Sequence, residues 1–187
     1  FAIAQSMRAD VAGYSAVSQS LDLAQSTVDV ALAAGEAISD LMVEMKEKAL
    51  ASKDASLDTA SRNALNEDFT ALRDQIGTIV ANAEFNGTNL IENGATAISA
   101  LANADGSNTI TIGAEDLSLT GTTITLSAAS QINTTTLANA AVSAIETSLD
   151  NLNSSLARLG TGSKSLEIHG TFVNKLSDAL EKGIGNL

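Results

Sequence analysis

A seven-residue apolar rhythm runs through the first fifty residues, and no proline interrupts it. One series is Met7, Tyr14, Leu21, Val28, Gly35, Met42 and Ala49; the other is Ile3, Asp10, Val17, Ala24, Ala31, Ile38 and Met45. Interleaved, the two give the 3-4 spacing of a stripe along one helix face. A helix of about 50 residues spans about 75 Å. Such a helix needs a partner along most of its length, because isolated helices are marginal in water. Gly13 and Gly35 each cost about 1 kcal/mol relative to alanine, so packing has to compensate.

The helical rhythm returns twice. Residues 51–58 lack it, and Asp58 or Thr59 is placed to cap a second helix through its side-chain oxygen. That helix carries Leu65, Phe69, Leu72, Ile76, Ile79 and Ala83, and Asn86-Gly87 stops it, since both residues tolerate a left-handed backbone. A third helix starts near Thr136 with Val142, Ile145, Leu149, Leu152, Leu156, Leu159 and Leu166. Gly160-Thr161-Gly162 weakens it and predicts a kink or a frayed turn. Beyond that point Phe172 or Val173, Leu176 and Leu180 resume the stripe.

Between the second and third helices, residues 87–106 are rich in Asn, Gly, Ala and Thr, anchored at Leu90-Ile91. A period-two pattern follows in Ile110 and Ile112, then Leu117 and Leu119, then Ile124 and Leu126 after Gly121. This predicts two or three short strands in a hairpin.

The expected fold is mainly α, an elongated antiparallel bundle of long helices with a small β-hairpin insertion. Residues 1–106 form the N-terminal half of the rod, with helices over about 1–50 and 59–83 and then an extended segment. Residues 107–128 form the hairpin, packed on the rod or standing as a reduced outer domain. Residues 129–187 supply the long C-terminal helix. The first and last helices lie side by side, and the second folds back on both. Leu65, Phe69, Leu72 and Ile76 should then be buried against the first helix and against the Ile145–Leu159 stripe, which includes Leu149, Leu152 and Leu156.

Composition excludes several function classes. Aromatic residues are 3% of the chain, so the core is built from Leu, Ile, Val, Ala and Met. The net charge of -12 gives no electrostatic reason to bind nucleic acid or an anionic membrane. No apolar run approaches the 18 residues of a membrane span. The absence of cysteine removes disulfides and thiolate metal sites.

Few groups remain for chemistry. His169 is the sole imidazole, and Glu167, two positions away on a helix, faces elsewhere, so a structural or surface role is expected. Glu36, Asp40, Glu44 and Glu47 share one helix side and read as a solvated face. Glu115-Asp116 lacks the alternating oxygen ligands of a calcium loop, and Gly160-Thr161-Gly162 lacks the context of a phosphate loop. No catalytic, cofactor-binding or metal residue is predicted. Exposed Ser and Thr within 107–136 are candidates for O-glycosylation. Arg62, Arg73 and Arg158 are expected to position helices or neighbouring subunits through their forked donors. Lys46 and Glu47 are candidates for contacts on neighbouring turns or subunits.

One string of residues is specific. Ser61-Arg62 is followed by Leu65, Asn66, Glu67, Phe69, Leu72, Arg73, Gln75-Ile76 and Ile79. Phe85-Asn86-Gly87 and Leu90 then complete it. This resembles the central part of bacterial flagellins. Ala2-Ile3-Ala4, Gly13, Arg158-Leu159-Gly160, Leu166-Glu167 and the Gly183–Leu187 ending add to the resemblance. Ala33–Ala37 and Ile168-His169-Gly170 look like flagellins of alphaproteobacteria.

The resemblance implies a secreted subunit of the extracellular flagellar filament, without enzymatic activity, that polymerises for swimming motility. It implies other flagellin subunits as partners, together with an export chaperone and a filament cap protein. It also implies helical inner-core segments before Phe1 and after Leu187. The surface recognised by the innate immune receptor carries an arginine before a glutamate in many flagellins. Here Lys46-Glu47 stands at that place, and lysine lacks the planar fork, so weak or absent recognition is expected. The alternative is a flagellin-like filament-junction protein or a surface adhesin of the same architecture.

Overall fold

A computed structural model describes all of residues 1–187. The heptad stripe of the first fifty residues becomes helix α1, Ala2–Ser52, 51 residues without a break. Helix α2 is Thr59–Asn82, and helix α3 is Thr135–Gly185, again 51 residues. Asp58 caps α2, its carboxylate accepting the Ser61 N–H at 2.7 Å. Thr134 caps α3 by accepting the Leu137 N–H at 3.0 Å. Each cap satisfies a first-turn donor that has no partner within the helix.

Helices α1 and α3 are antiparallel along almost their whole length. Met7 meets Gly183, Gln25 meets Ser163, Gly35 meets Leu156 and Lys46 meets Glu146. Numbers rise on one helix as they fall on the other. The shared core holds Val17, Leu21, Val28, Ile38, Met42 and Met45 from α1, with Ile145, Leu152, Leu159, Leu166 and Val173 from α3. Gly160 and Gly162 lie inside continuous helix, so the expected kink or frayed turn does not form. At Gly162 the missing side chain makes room for Ile112, whose methyl carbon would lie 2.9 Å from an added Cβ.

Three expectations are corrected. First, α2 packs on α1 and makes almost no direct contact with α3. The irregular segment 113–133 connects them instead. Arg73 of α2 donates to Ser130 O, and Asn66 of α2 accepts from Ile132 N. On the other side Ser148 of α3 accepts from Thr125 N. Phe69 and Ile76 are fully buried, whereas Leu65, Leu72, Leu149 and Leu156 are half-buried at the edges of the core. A helix covered along one side keeps the margins of its stripe wet.

Second, the hairpin lies earlier than 107–128. Its strands are β3, Ile98–Leu101, and β4, Thr109–Ile112, antiparallel with Ile98 opposite Ile112 and Leu101 opposite Thr109. This pair is numbered after a smaller hairpin, β1 at Glu84–Phe85 and β2 at Thr88–Asn89. Leu117, Ile124 and Leu126 are buried but not in strands. Their backbone bonds to neighbouring loops and to α3 side chains: Leu117 N donates to Ile91 O, and Thr120 N to Leu126 O. Apolar alternation selected the buried residues of this stretch. No strand partner lay beside it.

Third, Asn86-Gly87 does not end α2, which stops at Asn82. With φ of 51° and 78°, the two residues form the tight turn between β1 and β2. Positive φ at both central positions suits the two-residue hairpin turn and favours Asn-Gly.

Candidate functional site

Nothing in the rod converges like a catalytic centre, so its functional groups are those that lock elements together or face outward. No group of three or more His, Asp or Glu is placed to hold a metal ion. No helix is long and apolar enough to cross a membrane.

The three arginines all bind within the chain. Arg62 donates from Nε to Ser52 O at 3.1 Å and from Nη2 to Asp54 O at 2.5 Å. It therefore ties the end of α1 to the start of α2. Ser52, fully buried, donates to Ile132 O at 2.5 Å, which fixes the entry to α3 at the same corner. Arg73 binds Ser130 O at 2.7 Å while pairing with its neighbour Asp74 at 2.9 Å.

Arg158 forks onto Glu115. Its Nε donates to Oε1, and its Nη2 donates to Oε2 at 3.3 Å. The Glu115 side chain is only 14% exposed, so the guanidinium neutralises a carboxylate that would otherwise be buried alone. The same hydrogen bond, and then the Glu115 charge, hold the Arg158 pKa above its usual value.

Lys46 is half-buried and pairs with Glu146 of α3 at 3.4 Å, while Glu47 is exposed. Lys48 pairs with Asp68 of α2 at 3.4 Å. Glu36, Asp40 and Glu44 are exposed along α1. His169 is half-buried with Nε2 2.7 Å from Ala102 O. A carbonyl only accepts, so that nitrogen carries the proton. The ring lies 5.8 Å from Phe172 and holds the β3 edge against α3.

Several working residues were not singled out in the sequence. Ser148 and Ser155 are buried in the α3 stripe, where polar residues read as gaps. Ser148 receives Thr125 N at 2.9 Å, and Ser155 lies 3.5 Å from Glu115 Oε2. Their spacing of seven was the available signal. Asn89, also buried, donates to Val80 O and accepts from Ile91 N and Glu92 N, which closes the turn after α2.

Some apolar side chains face water. Ile168 and Phe172 stand out from α3, and Leu50 from the end of α1 beside a groove lined by Leu57, Ala64 and Leu65.

Comparison with known proteins gives a consistent result. The family model "Bacterial flagellin N-terminal helical region" matches residues 1–96. Flagellin FljK of Caulobacter vibrioides is 47% identical over 187 residues, which is all of this chain and 67% of that relative. Flagellin FljN of the same bacterium is 49% identical over 188 residues, with the same coverage. Among solved structures, Bacillus cereus flagellin superposes with a TM-score of 0.70 at 20% identity, covering 82% of this chain and 86% of that one. A putative flagellar hook-associated protein from Vibrio parahaemolyticus gives 0.80 at 11% identity, over 98% and 95%. At those identities the two structures bear on fold alone.

Proposed function

This chain belongs to the bacterial flagellin family, and from that premise we propose how its rod serves the filament. It is a structural subunit of the extracellular flagellar filament, not an enzyme, and it assembles with other flagellin subunits. The rod works as a stiff strut. Two 51-residue helices locked antiparallel resist bending, and the arginine ties hold the connecting segments flush against them. Torque passes from one strut to the next through side-to-side contacts. Arg62, Arg73 and Arg158 serve as internal positioning groups, since each directs at least two of its guanidinium nitrogens to groups of its own chain. Leu65, Phe69, Leu72, Ile76, Ile145, Leu149, Leu152 and Leu156 hold the strut together.

The finer partners follow from the family. An export chaperone and a cap protein handle the subunit before and during assembly. Innate receptor recognition is weak, because Lys46 replaces a forked cation and already pairs with Glu146. The division into rod halves with a small β insert between them is part of the same reading, with the insert at Ile98–Ile112 rather than 107–128.

The observation that carries the filament role is 47% identity to a flagellin across the entire chain. A junction or adhesin role would share the fold, so the likeness to the hook-associated structure does not favour it. Expression of the full-length protein in a flagellin-deficient bacterium tests the reading. Filaments seen by electron microscopy and restored swimming are expected; bare cells that secrete the protein would refute it.

A further inference from the structure

The sequence holds two Asn-Gly pairs, Asn86-Gly87 and Asn93-Gly94, and one Asp-Gly pair, Asp105-Gly106. In such a pair the glycine nitrogen can attack the preceding side-chain carbonyl carbon, because no Cβ on the glycine shields the approach. The fold treats the three pairs unequally.

Asn93 and Gly94 are the central residues of a turn. Ala95 N donates to Glu92 O at 3.2 Å, and Gly94 has a φ of 77°. That bond does not involve the peptide between Asn93 and Gly94. The Gly94 N–H donates to no group of the chain, and the Asn93 side chain forms no hydrogen bond within it. Both residues are exposed, and a Cβ placed on Gly94 would meet nothing within 4 Å beyond its adjoining residues. Before the turn, Ile91 is fully buried, and Asn89 Oδ1 accepts from the Ile91 and Glu92 N–H groups. After it, residues 95–97 belong to no strand. One side of the turn is anchored and the other is loose.

The other two pairs are restrained. Asn86 and Gly87 are exposed too, but strands pair directly beside them, Phe85 with Thr88 and Glu84 with Asn89. Rotating their shared peptide toward the Asn86 side chain pulls on that ladder. Asp105 Oδ1 accepts from Ser107 N at 2.9 Å, and Gly106 N donates to Asn103 O at 3.1 Å, so both reacting groups are engaged. A carboxylate is also a poorer target for a nitrogen nucleophile than an amide.

We propose that Asn93 is a site of spontaneous deamidation, selected over Asn86 and Asp105 by the looseness of its turn. Gly94 N gives its proton to solvent base and attacks Asn93 Cγ. A bond forms between them, and the bond from Cγ to the side-chain nitrogen breaks. That nitrogen takes up a proton and leaves as ammonia. Water then opens the cyclic imide at one carbonyl or the other, giving aspartate or isoaspartate. Either product places a new negative charge beside Glu92 on a chain that already carries -12. Isoaspartate also routes the main chain through the side-chain methylene and lengthens the turn. Residue 93 thereby records the age of the subunit.

The full-length protein, kept folded at mildly alkaline pH and sampled over time, tests this. Peptide mapping by mass spectrometry should show amide-to-acid conversion at Asn93 about tenfold or more faster than at Asn86, the ratio for a local restraint of about 1.4 kcal/mol. In urea, where both turns are lost, the two asparagines should convert at similar rates. Equal rates in the folded protein would overturn the selection by the fold. Conversion of Asn93 in urea but not in the folded protein would overturn the site itself.

Isoelectric focusing gives a second readout. An acidic form should accumulate in the unmodified protein and not in Asn93→Gln, because glutamine closes the larger ring far more slowly. An acidic form that accumulates equally in Asn93→Gln would place the modification elsewhere and refute the proposal.

Discussion

Arg158 and Glu115 are 43 residues apart in sequence and form a one-sided pair, an exposed guanidinium over a nearly buried carboxylate. Removing the cation leaves the anion without its partner, which is worse than removing both. Arg158→Ala should therefore lower the melting temperature, Arg158→Lys should restore part of it, and Glu115→Gln/Arg158→Ala should melt above Arg158→Ala. A double-mutant cycle by thermal denaturation measures this, and additive effects would rule out the coupling. The exposed aspartates behave differently. Asp54, Asp58 and Asp105 have pKa values held below the usual range, first by the Ser56, Ser61 and Ser107 side-chain hydrogen bonds and then by the same residues' backbone N–H groups. A depressed folded-state pKa contributes stability above the ordinary value of about 3.9, and that contribution disappears as pH falls through the folded value. These turns should hold unchanged from pH 7 to 5 and loosen below about pH 4. Carboxyl NMR titration checks this; midpoints at or above the ordinary value would contradict it.

Helix α3 sets two glycines against each other within three residues. Nothing lies within 4 Å of a Cβ added at Gly160, whereas at Gly162 it would meet Ile112 at 2.9 and 3.1 Å. Alanine gains about 1 kcal/mol over glycine in a helix interior. Overpacking costs about 1–3 kcal/mol. Gly160→Ala should thus stabilise the protein by about 1 kcal/mol, and Gly162→Ala should gain nothing or lose up to ~2 kcal/mol by difference. Urea denaturation separates the two, and equal stabilisation would show that β4 does not press on α3. The sequence showed both glycines as weak points of one helix. It did not show that one of them is a seat for Ile112, because the residue that fills the seat comes from a hairpin fifty positions away. Ser148 and Ser155 were overlooked for a similar reason: their partners Thr125, Thr123 and Glu115 belong to a segment with no regular structure.

Charge acts on the rod as a whole. Copies carrying -12 repel one another when they approach, and at 0.1 M salt that repulsion is screened over about 10 Å. Assembly should therefore begin at lower protein concentration as salt rises from 0.01 to 0.2 M. Light scattering at several salt concentrations reads this directly. Onset that is independent of salt, or delayed by it, would mean that attractive ion pairs dominate the contacts.

The sequence by itself determined the two long helices, the second helix with a cap at Asp58 or Thr59, and the burial of Phe69, Ile76, Ile145 and Leu152. Each of these follows from near-neighbour spacing on one helix, which a linear pattern records. Only the tertiary structure decided that segment 113–133 fills the space between α2 and α3, that the larger hairpin pairs residues 98–101 with 109–112, and that Glu115 waits for Arg158. Those outcomes depend on which distant groups satisfy backbone donors and buried charge. A hydrogen bond or an ion pair leaves no period in the chain that makes it.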